Sequence, residues 1–311
     1  MNSLNISFNY KSTGFPFEDV DYKFETYRYY IQCFVEIINN NYSSIEQFIN
    51  LVVDKSKHLQ GFKGYDQGWV ARFLKNAWNT EYILNFNLVD DPELARINNQ
   101  WLPIQTYYAV YCAGEALAYL LDKNKANSHR TCLKKLNNFF VKLDISPWNL
   151  MYKGAIGKKS NEHVPINFLS NIQIPHNLAR RDISPVQMVC KCLKVEHQKR
   201  VKDEFKKTTG KYKYSFDPSL TSLLNFLYRL RIISNYEEID VFLTEAPDNV
   251  IMEFGKNLSF ICLATLTLFE IIIIRKVGKT NFNSIVEDYL RMNNNASALQ
   301  NRNEHYLTLI R

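Results

Sequence analysis

Apolar side chains recur three and four positions apart along most of the chain, which is the spacing of one face of an α-helix. The spacing is clear from position 18 to 39, from 69 to 83 and from 248 to 275. No segment shows the sustained alternation of apolar and polar residues that is typical of a β-strand. The pattern therefore predicts an all-α protein.

Polar residues that favour helix starts indicate where several helices begin. Ser43 with Glu46 forms a capping box ahead of one apolar face, and Ser128 precedes another. Further helices are predicted by periodicity alone at 185–207, 248–275 and 283–292.

Two Asp-Pro pairs give a second kind of start signal, an N-cap residue followed by proline at the first helical position. They stand at 91–92 and 217–218, and predict helices from 91 to 121 and from 218 to 235. Pro103 falls inside the first of these, so we expect a kink or a split there.

The most apolar run extends from Leu258 to Ile274 and contains one Glu, two Thr and one Ser. It is shorter than the roughly 20 apolar residues that span a bilayer, so we expect a buried core helix and no membrane partner. The first residues lack the pattern of a signal peptide, and six cysteines without disulfide spacing suit a reducing compartment. The sequence therefore predicts a cytoplasmic protein.

The composition, with 46% hydrophobic residues and only 10 Gly and 9 Pro, excludes a disordered or collagen-like chain. The net charge of +7 is concentrated rather than spread. Nine Lys or Arg and three acidic residues lie between Lys191 and Lys213, a concentration that attracts phosphate backbones or acidic partners. Candidate contacts are Lys199, Arg200 and Lys202; the alternative is an ordinary solvated helix face.

Three short motifs lie on either side of this basic segment. Residues 105–117 read QTYYAVYCAGEAL, residues 127–130 read NSHR, and residues 228–237 read YRLRIISNYE. In this order they resemble the second helix, the following helix start and the Arg-bearing helix of HEPN domains, a family of helical domains of higher eukaryotes and prokaryotes. The resemblance covers about 110 residues, and each motif alone is weakly specific.

The resemblance implies a HEPN-like antiparallel helical bundle formed by residues 89–142 plus 217–277. The remaining parts would be an N-terminal helical extension (1–88), a basic insertion (143–216) and a C-terminal helix with an Asn-rich tail (278–311). It also implies an RNA or nucleotide ligand, a homodimer, and a setting such as a prokaryotic toxin–antitoxin or phage-defence system.

The first candidate site residues are Ser128, His129 and Arg130. Ser128 is expected to cap a helix, and the free N–H groups of a helix N-terminus favour anions such as phosphate. His129 and Arg130 would meet such a phosphate; the alternative is a solvated first turn.

The second set consists of Tyr228, Arg231, Asn235 and Tyr236. Arg231 and Asn235 are four residues apart and so share a helical face with Tyr228, near Tyr236. An arginine, an amide and two phenols on one surface suit a phosphate and a stacked base. The alternative is an arginine paired with a buried carboxylate such as Glu115.

HEPN ribonucleases carry Arg followed by His after four to six residues, and none of the six histidines here has that spacing. Tyr236 stands where the histidine of Arg231 would be, and His suits general base catalysis at neutral pH far better than Tyr. Catalytic residues are therefore not assigned, and any enzyme activity would be that of a HEPN-type ribonuclease. The alternative function is a catalytically inactive HEPN-like scaffold or regulator with a protein partner.

No cofactor motif is present, and no metal site is expected. Cys190 and Cys192 are the closest cysteine pair, but two residues apart on a helix their side chains diverge by about 200° and cannot chelate together.

Overall fold

The protein is described by a computed structural model. It covers residues 21–59, 61, 63–86, 91–152, 154–156, 163–165, 183–207, 220–243, 246–293 and 296–310, with backbone only in 154–156, 163–165 and 201–207. These residues form helices α1 (Tyr22–Asn41), α2 (Ile45–Lys55), α3 (Gln67–Phe86), α4 (Pro92–Asn98), α5 (Trp101–Asp122), α6 (His129–Leu143), α7 (Pro185–Lys207), α8 (Leu223–Ile232), α9 (Ile239–Phe242), α10 (Asp248–Val277), α11 (Lys279–Met292) and α12 (Ser297–Leu309).

The all-α class is confirmed. The described residues contain one pair of three-residue antiparallel strands, β1 (Gly154–Ile156) and β2 (His163–Pro165), and no larger sheet. A π-helical turn, Ile233–Glu237, continues α8.

Two predicted helix starts are observed where the caps place them. Asp91 accepts hydrogen bonds from two backbone N–H groups of α4, and Pro92 is its first residue. The Ser128 hydroxyl accepts from the Thr131 N–H at the start of α6. At these two positions the local chemistry decides where the helix begins. α7, which was predicted from periodicity, begins at Pro185 as expected.

The predicted capping box of α2 is wrong by one residue. The N-cap is Ser44, whose Oγ accepts from the Gln47 N–H at 3.2 Å. The Gln47 side chain reaches back and accepts from the backbone N–H and the hydroxyl of Ser43. Gln47 therefore takes the reciprocal role that was predicted for Glu46.

Pro103 does not interrupt a helix. The chain breaks earlier, at Asn99 and Gln100, and Pro103 becomes the third residue of α5. The first turn of a helix has no partner for its N–H groups, so a missing N–H costs nothing there. The buried Asn99 side chain fixes the break by donating to the Phe242 carbonyl at 2.7 Å.

The helix predicted to begin at 218 begins at Leu223. Thr221 pairs in an antiparallel bridge with Tyr152, with both N–O distances at 2.8 Å, and Ser222 then caps α8. Because this tertiary pairing holds the chain extended, the helix starts five residues later than the sequence indicates. The pair Asp217-Pro218 lies outside the described residues.

α10 lies at the centre of the fold and packs against α1, α2, α3, α4, α5 and α11. It is the one described helix long and apolar enough to cross a membrane, and 94% of its most apolar window is buried inside the protein, as in the core helix of a soluble protein. α5, the helix that carries Tyr108, packs against α3, α6, α8 and α10.

The small residues of α5 allow neighbouring helices to approach closely. Ala109, Ala113 and Ala116 are fully buried. A Cβ added at Gly114 would lie 2.9 Å from Leu136 of α6 and 3.4 Å from Phe269 of α10. The same close packing of α5 and α6 allows His129, the first residue of α6, to contact Tyr107 in the second turn of α5, where the candidate site lies.

Candidate nucleotide-binding site

Three helices bring the candidate residues together. Tyr107 and Tyr108 lie in the second turn of α5, His129 is the first residue of α6, and Tyr228 and Arg231 lie on α8. The Tyr107 ring contacts the Tyr228 ring with centroids 5.3 Å apart, which joins α5 to α8. We call these residues, with Tyr111 and Tyr236, the Arg231 cluster.

His129 is surrounded by tyrosine rings. Its ring centroid lies 4.1 Å from that of Tyr111 and 5.6 Å from that of Tyr228, which it stacks upon. Tyr107 and Tyr108 complete the surround at 5.6 and 6.2 Å. Burial among these rings lowers the pKa of His129 below 6.5, and the nearby positive charge of Arg231 lowers it further. The neutral imidazole therefore predominates at neutral pH.

The hydrogen bond to Tyr107 assigns the His129 tautomer. Tyr107 Oη lies 2.6 Å from His129 Nδ1, and burial raises the Tyr107 pKa, so the phenol keeps its proton. Within the described part of the chain the hydroxyl has no other acceptor, so Tyr107 donates and Nδ1 accepts. A neutral imidazole that accepts at Nδ1 carries its proton at Nε2. His129 therefore has an N–H donor at Nε2.

Arg231 is held by phenols rather than by carboxylates. Its Nη2 donates to Tyr108 Oη at 2.7 Å. Its guanidinium carbon lies 5.2 Å from the ring centre of Tyr108, 5.6 Å from that of Tyr236 and 5.9 Å from that of Tyr228. No carboxylate of the described residues lies within ion-pair distance, and its buried Nε has no hydrogen-bond partner among them. Among the residues that the structure describes, this charge is thus left without an anion.

The chain matches no family model, no curated protein and no solved structure. What the Arg231 cluster can do is therefore argued from its geometry and chemistry.

Glu115, the carboxylate considered as a partner for Arg231, pairs elsewhere. It is buried on α5 and accepts a short hydrogen bond from Tyr111 Oη. Burial raises the pKa of Glu115, and the neighbouring Tyr111 hydroxyl opposes that rise. The described residues contain no group of three or more His, Cys, Asp or Glu side chains that could hold a metal ion.

The π-helical turn changes which residue meets Arg231. A π-turn aligns residues five apart, whereas an α-helix aligns residues about four apart. Tyr236 therefore stacks over the Arg231 guanidinium, and Asn235 makes no described hydrogen bond with it. Arg229 forms two hydrogen bonds with Glu237 at 2.9 and 2.5 Å.

Of the residues predicted at the start of α6, only His129 enters the cluster. The Ser128 hydroxyl is occupied by the Thr131 N–H, so Ser128 acts as the helix cap. Arg130 is exposed and lies about 100° around the helix from His129. The structure thus brings His129 to Arg231 from a different helix.

The predicted basic surface on α7 is separate from this cluster. The Arg200 guanidinium bonds to His197 Nδ1 and Thr221 Oγ1, both at 3.2 Å. Thr221 immediately precedes the cap of α8, so Arg200 lies roughly 13 Å along that helix from Arg231. Lys199 is half-buried, and the Lys202 side chain lies outside the described residues.

Sequence reasoning did not assign a role to Tyr107 or Tyr111. Their spacing of four places both on the face of α5 that meets His129. The local signal was the run of three tyrosines at 107, 108 and 111, which also fits plain core packing. Only the position of α6 shows that these rings enclose a histidine.

Proposed function

We propose that this protein binds RNA or a nucleotide at the Arg231 cluster. The observation that carries the proposal is the uncompensated charge of Arg231, half-buried among tyrosine rings with no carboxylate partner in the described chain. A guanidinium in such a site is a strong hydrogen-bond donor toward phosphate oxygens. The concentration of basic residues on α7 supports a polyanionic ligand independently.

Each part of a nucleotide has a group to meet in the cluster. Arg231 and the Nε2–H of His129 supply donors of the kind that a phosphate accepts. Tyr236 is 65% exposed, and its ring offers a face on which a base can stack. The tyrosine surround raises the strength of these polar contacts by excluding water.

Binding is better supported than cleavage. A general base needs a free nitrogen lone pair, but the Nδ1 lone pair of His129 is taken by Tyr107 and Nε2 carries the proton. The wider setting that the family resemblance implies, a cytoplasmic homodimer of a toxin–antitoxin or phage-defence system, is part of the proposal.

The second candidate is a catalytically inactive HEPN-like scaffold that binds a protein. The exposed apolar side chain of Leu243, which directly follows α9 and is 56% exposed, favours it, because exposed apolar residues can belong to a protein interface.

The test is the affinity for a short fluorescein-labelled oligouridylate, measured by fluorescence anisotropy across a range of salt concentrations. Arg231→Ala should weaken binding about tenfold or more, because charge-assisted hydrogen bonds contribute about 1.5–3 kcal/mol. Arg291→Ala, which removes an exposed arginine of α11, is the matched control and should bind as the parent does.

The α7 surface is tested in the same assay. Replacement of Lys199, Arg200 and Lys202 by Glu should lower the affinity for all sequences. It should also make the slope of log K against log salt concentration less steep, by roughly 0.7 for each lost phosphate contact. If the parent binds no RNA at low salt, or if Arg231→Ala binds like the parent, the scaffold function replaces the proposal.

A further inference from the structure

Trp101, the first residue of α5, is 47% exposed although tryptophan is usually well buried. It precedes Tyr108 by seven residues, which places the two on the same face of the helix about 10 Å apart. Tyr108 is the residue that holds Arg231. The exposed indole therefore lies on the continuation of the Arg231 cluster.

The chain from Arg231 to Phe242 runs back along α5 toward Trp101. Arg231 is bonded to Tyr108 at one end of this stretch, and the Phe242 carbonyl accepts from Asn99 at the other. The π-helical turn with the exposed Tyr236 lies between them and packs against α5. Two exposed aromatic rings thus lie along this part of the fold: Trp101 on α5 itself, and Tyr236 on the π-helical turn that packs against α5.

The charged side chains along this stretch differ between its two ends. Glu237 is paired with Arg229, and Glu238 accepts from Tyr27 and Lys23. Asp240 is exposed two residues before Phe242, whereas Arg231, which has no described carboxylate partner, lies at the other end of the stretch. An anionic group is therefore favoured at Arg231, and an uncharged, flat group is favoured toward Trp101.

We propose that the ligand is single-stranded RNA of at least two nucleotides, which rests on the proposed function. One phosphate binds Arg231, and two unstacked bases lie on Tyr236 and Trp101. Exposed aromatic rings beside a cation recognise single strands without strong sequence preference, because every base has a face that can stack. Duplex RNA is not a ligand, since its bases are paired and stacked within the helix.

The experiment uses the full chain, an oligouridylate and the intrinsic tryptophan fluorescence, together with anisotropy of the labelled strand. Trp101 is the exposed one of the four tryptophans, so bound bases should quench its emission. Trp101→Ala should lose roughly five- to hundredfold in affinity, the effect of one lost stacked base, with an unchanged salt slope. Trp101→Phe should bind within about threefold of the parent, because phenylalanine also stacks.

Leu307→Ala is the control, because it removes an apolar side chain that is 41% exposed on α12. It should bind as the parent does. If Trp101→Ala binds like the parent while Arg231→Ala does not, the single-strand inference fails and the proposed function stands. If duplex RNA competes as well as the single strand, or if Trp101→Ala changes self-association but not RNA affinity, the inference is overturned and the face belongs to another ligand or to a protein.

Discussion

Two arginines of this protein lie in opposite environments. The Arg302 side chain on α12 is 2% exposed, and its Nη1 and Nη2 donate to Glu81 at 2.6 and 2.9 Å. Its Nε and Nη2 also donate to Glu270, both at 3.0 Å. Arg231 is half-buried and has one described hydrogen bond, to a phenol. The first charge is matched by carboxylates inside the fold, whereas no described carboxylate matches the second.

The matched charge belongs to a network that joins three helices. Glu270 of α10 also accepts from Trp78 Nε1 at 2.8 Å and from Tyr306 Oη at 2.6 Å. Glu81 of α3 completes it, and burial raises the pKa of that carboxyl while Arg302 opposes the rise. A buried ion needs such partners, because desolvation otherwise costs several kcal/mol. Arg231 has no such carboxylate partner among the described residues, so it is the arginine suited to bind an anionic ligand.

The largest effect is expected from Arg302→Met. The substitution leaves two buried carboxylates without their cation, so the free energy of unfolding should fall by about 3–5 kcal/mol. Urea denaturation followed by circular dichroism measures it, and Arg291→Met, at an exposed arginine of α11, should change stability by less than about 0.5 kcal/mol. A loss below about 1 kcal/mol at Arg302 would show that the network does not stabilise the fold.

Arg302 also shows the limit of sequence reasoning. It belongs to the segment 278–311, which the sequence predicts to be a C-terminal helix with an Asn-rich tail. The tail folds as α12, and the arginine lies in the core. Its partners Glu81 and Glu270 are 221 and 32 residues away in the sequence, so no local pattern predicts these ion pairs.

What the sequence predicted well was set by local chemistry: the Asp91 and Ser128 caps, the start of α7 at Pro185 and the buried α10. What it missed was set by contacts across the fold. The bridge between Thr221 and Tyr152 delays α8. The packing of α5, α6 and α8 brings His129 close to Arg231, and no local sequence pattern near either residue predicts that they meet.

A smaller loss of stability is expected from Tyr306→Phe. The change removes one hydrogen bond to the buried Glu270 carboxylate but leaves the bonds from Arg302 and Trp78. The expected loss is about 1.5–3 kcal/mol, the range for a hydrogen bond to a charged group. The same urea series measures it, and an unchanged midpoint would mean that Glu270 is satisfied without the phenol.

Arg231→Met makes the same substitution in the second environment. Because no described carboxylate is left unpaired, stability should change by less than about 1 kcal/mol, while RNA affinity falls. Urea denaturation beside the anisotropy assay separates the two effects. A stability loss like that of Arg302→Met would make Arg231 a structural residue and remove the difference between the two regions.

The pH response of His129 gives the smallest effect. Its folded pKa is lowered below 6.5, first by burial and then by Arg231, so the ring is neutral in the fold above that pH. Its contribution to stability is full above about 6.5 and is lost as the pH falls through the lowered folded pKa. A histidine NMR titration should show a midpoint below 6.5 that moves upward in Arg231→Met. A midpoint at or above 6.5 in the parent would contradict the buried, neutral ring.

The most direct test is to map where RNA contacts the protein, by ultraviolet crosslinking of an oligouridylate followed by mass spectrometry of the peptides. The Arg231 cluster predicts crosslinks in the peptides that contain Trp101 to Tyr111 and Tyr228 to Tyr236, and none in the α12 peptide with Arg302. Arg231→Ala should reduce both crosslinks together. Crosslinks confined to the α7 peptide, unchanged in Arg231→Ala, would contradict the central claim that the uncompensated arginine binds the ligand.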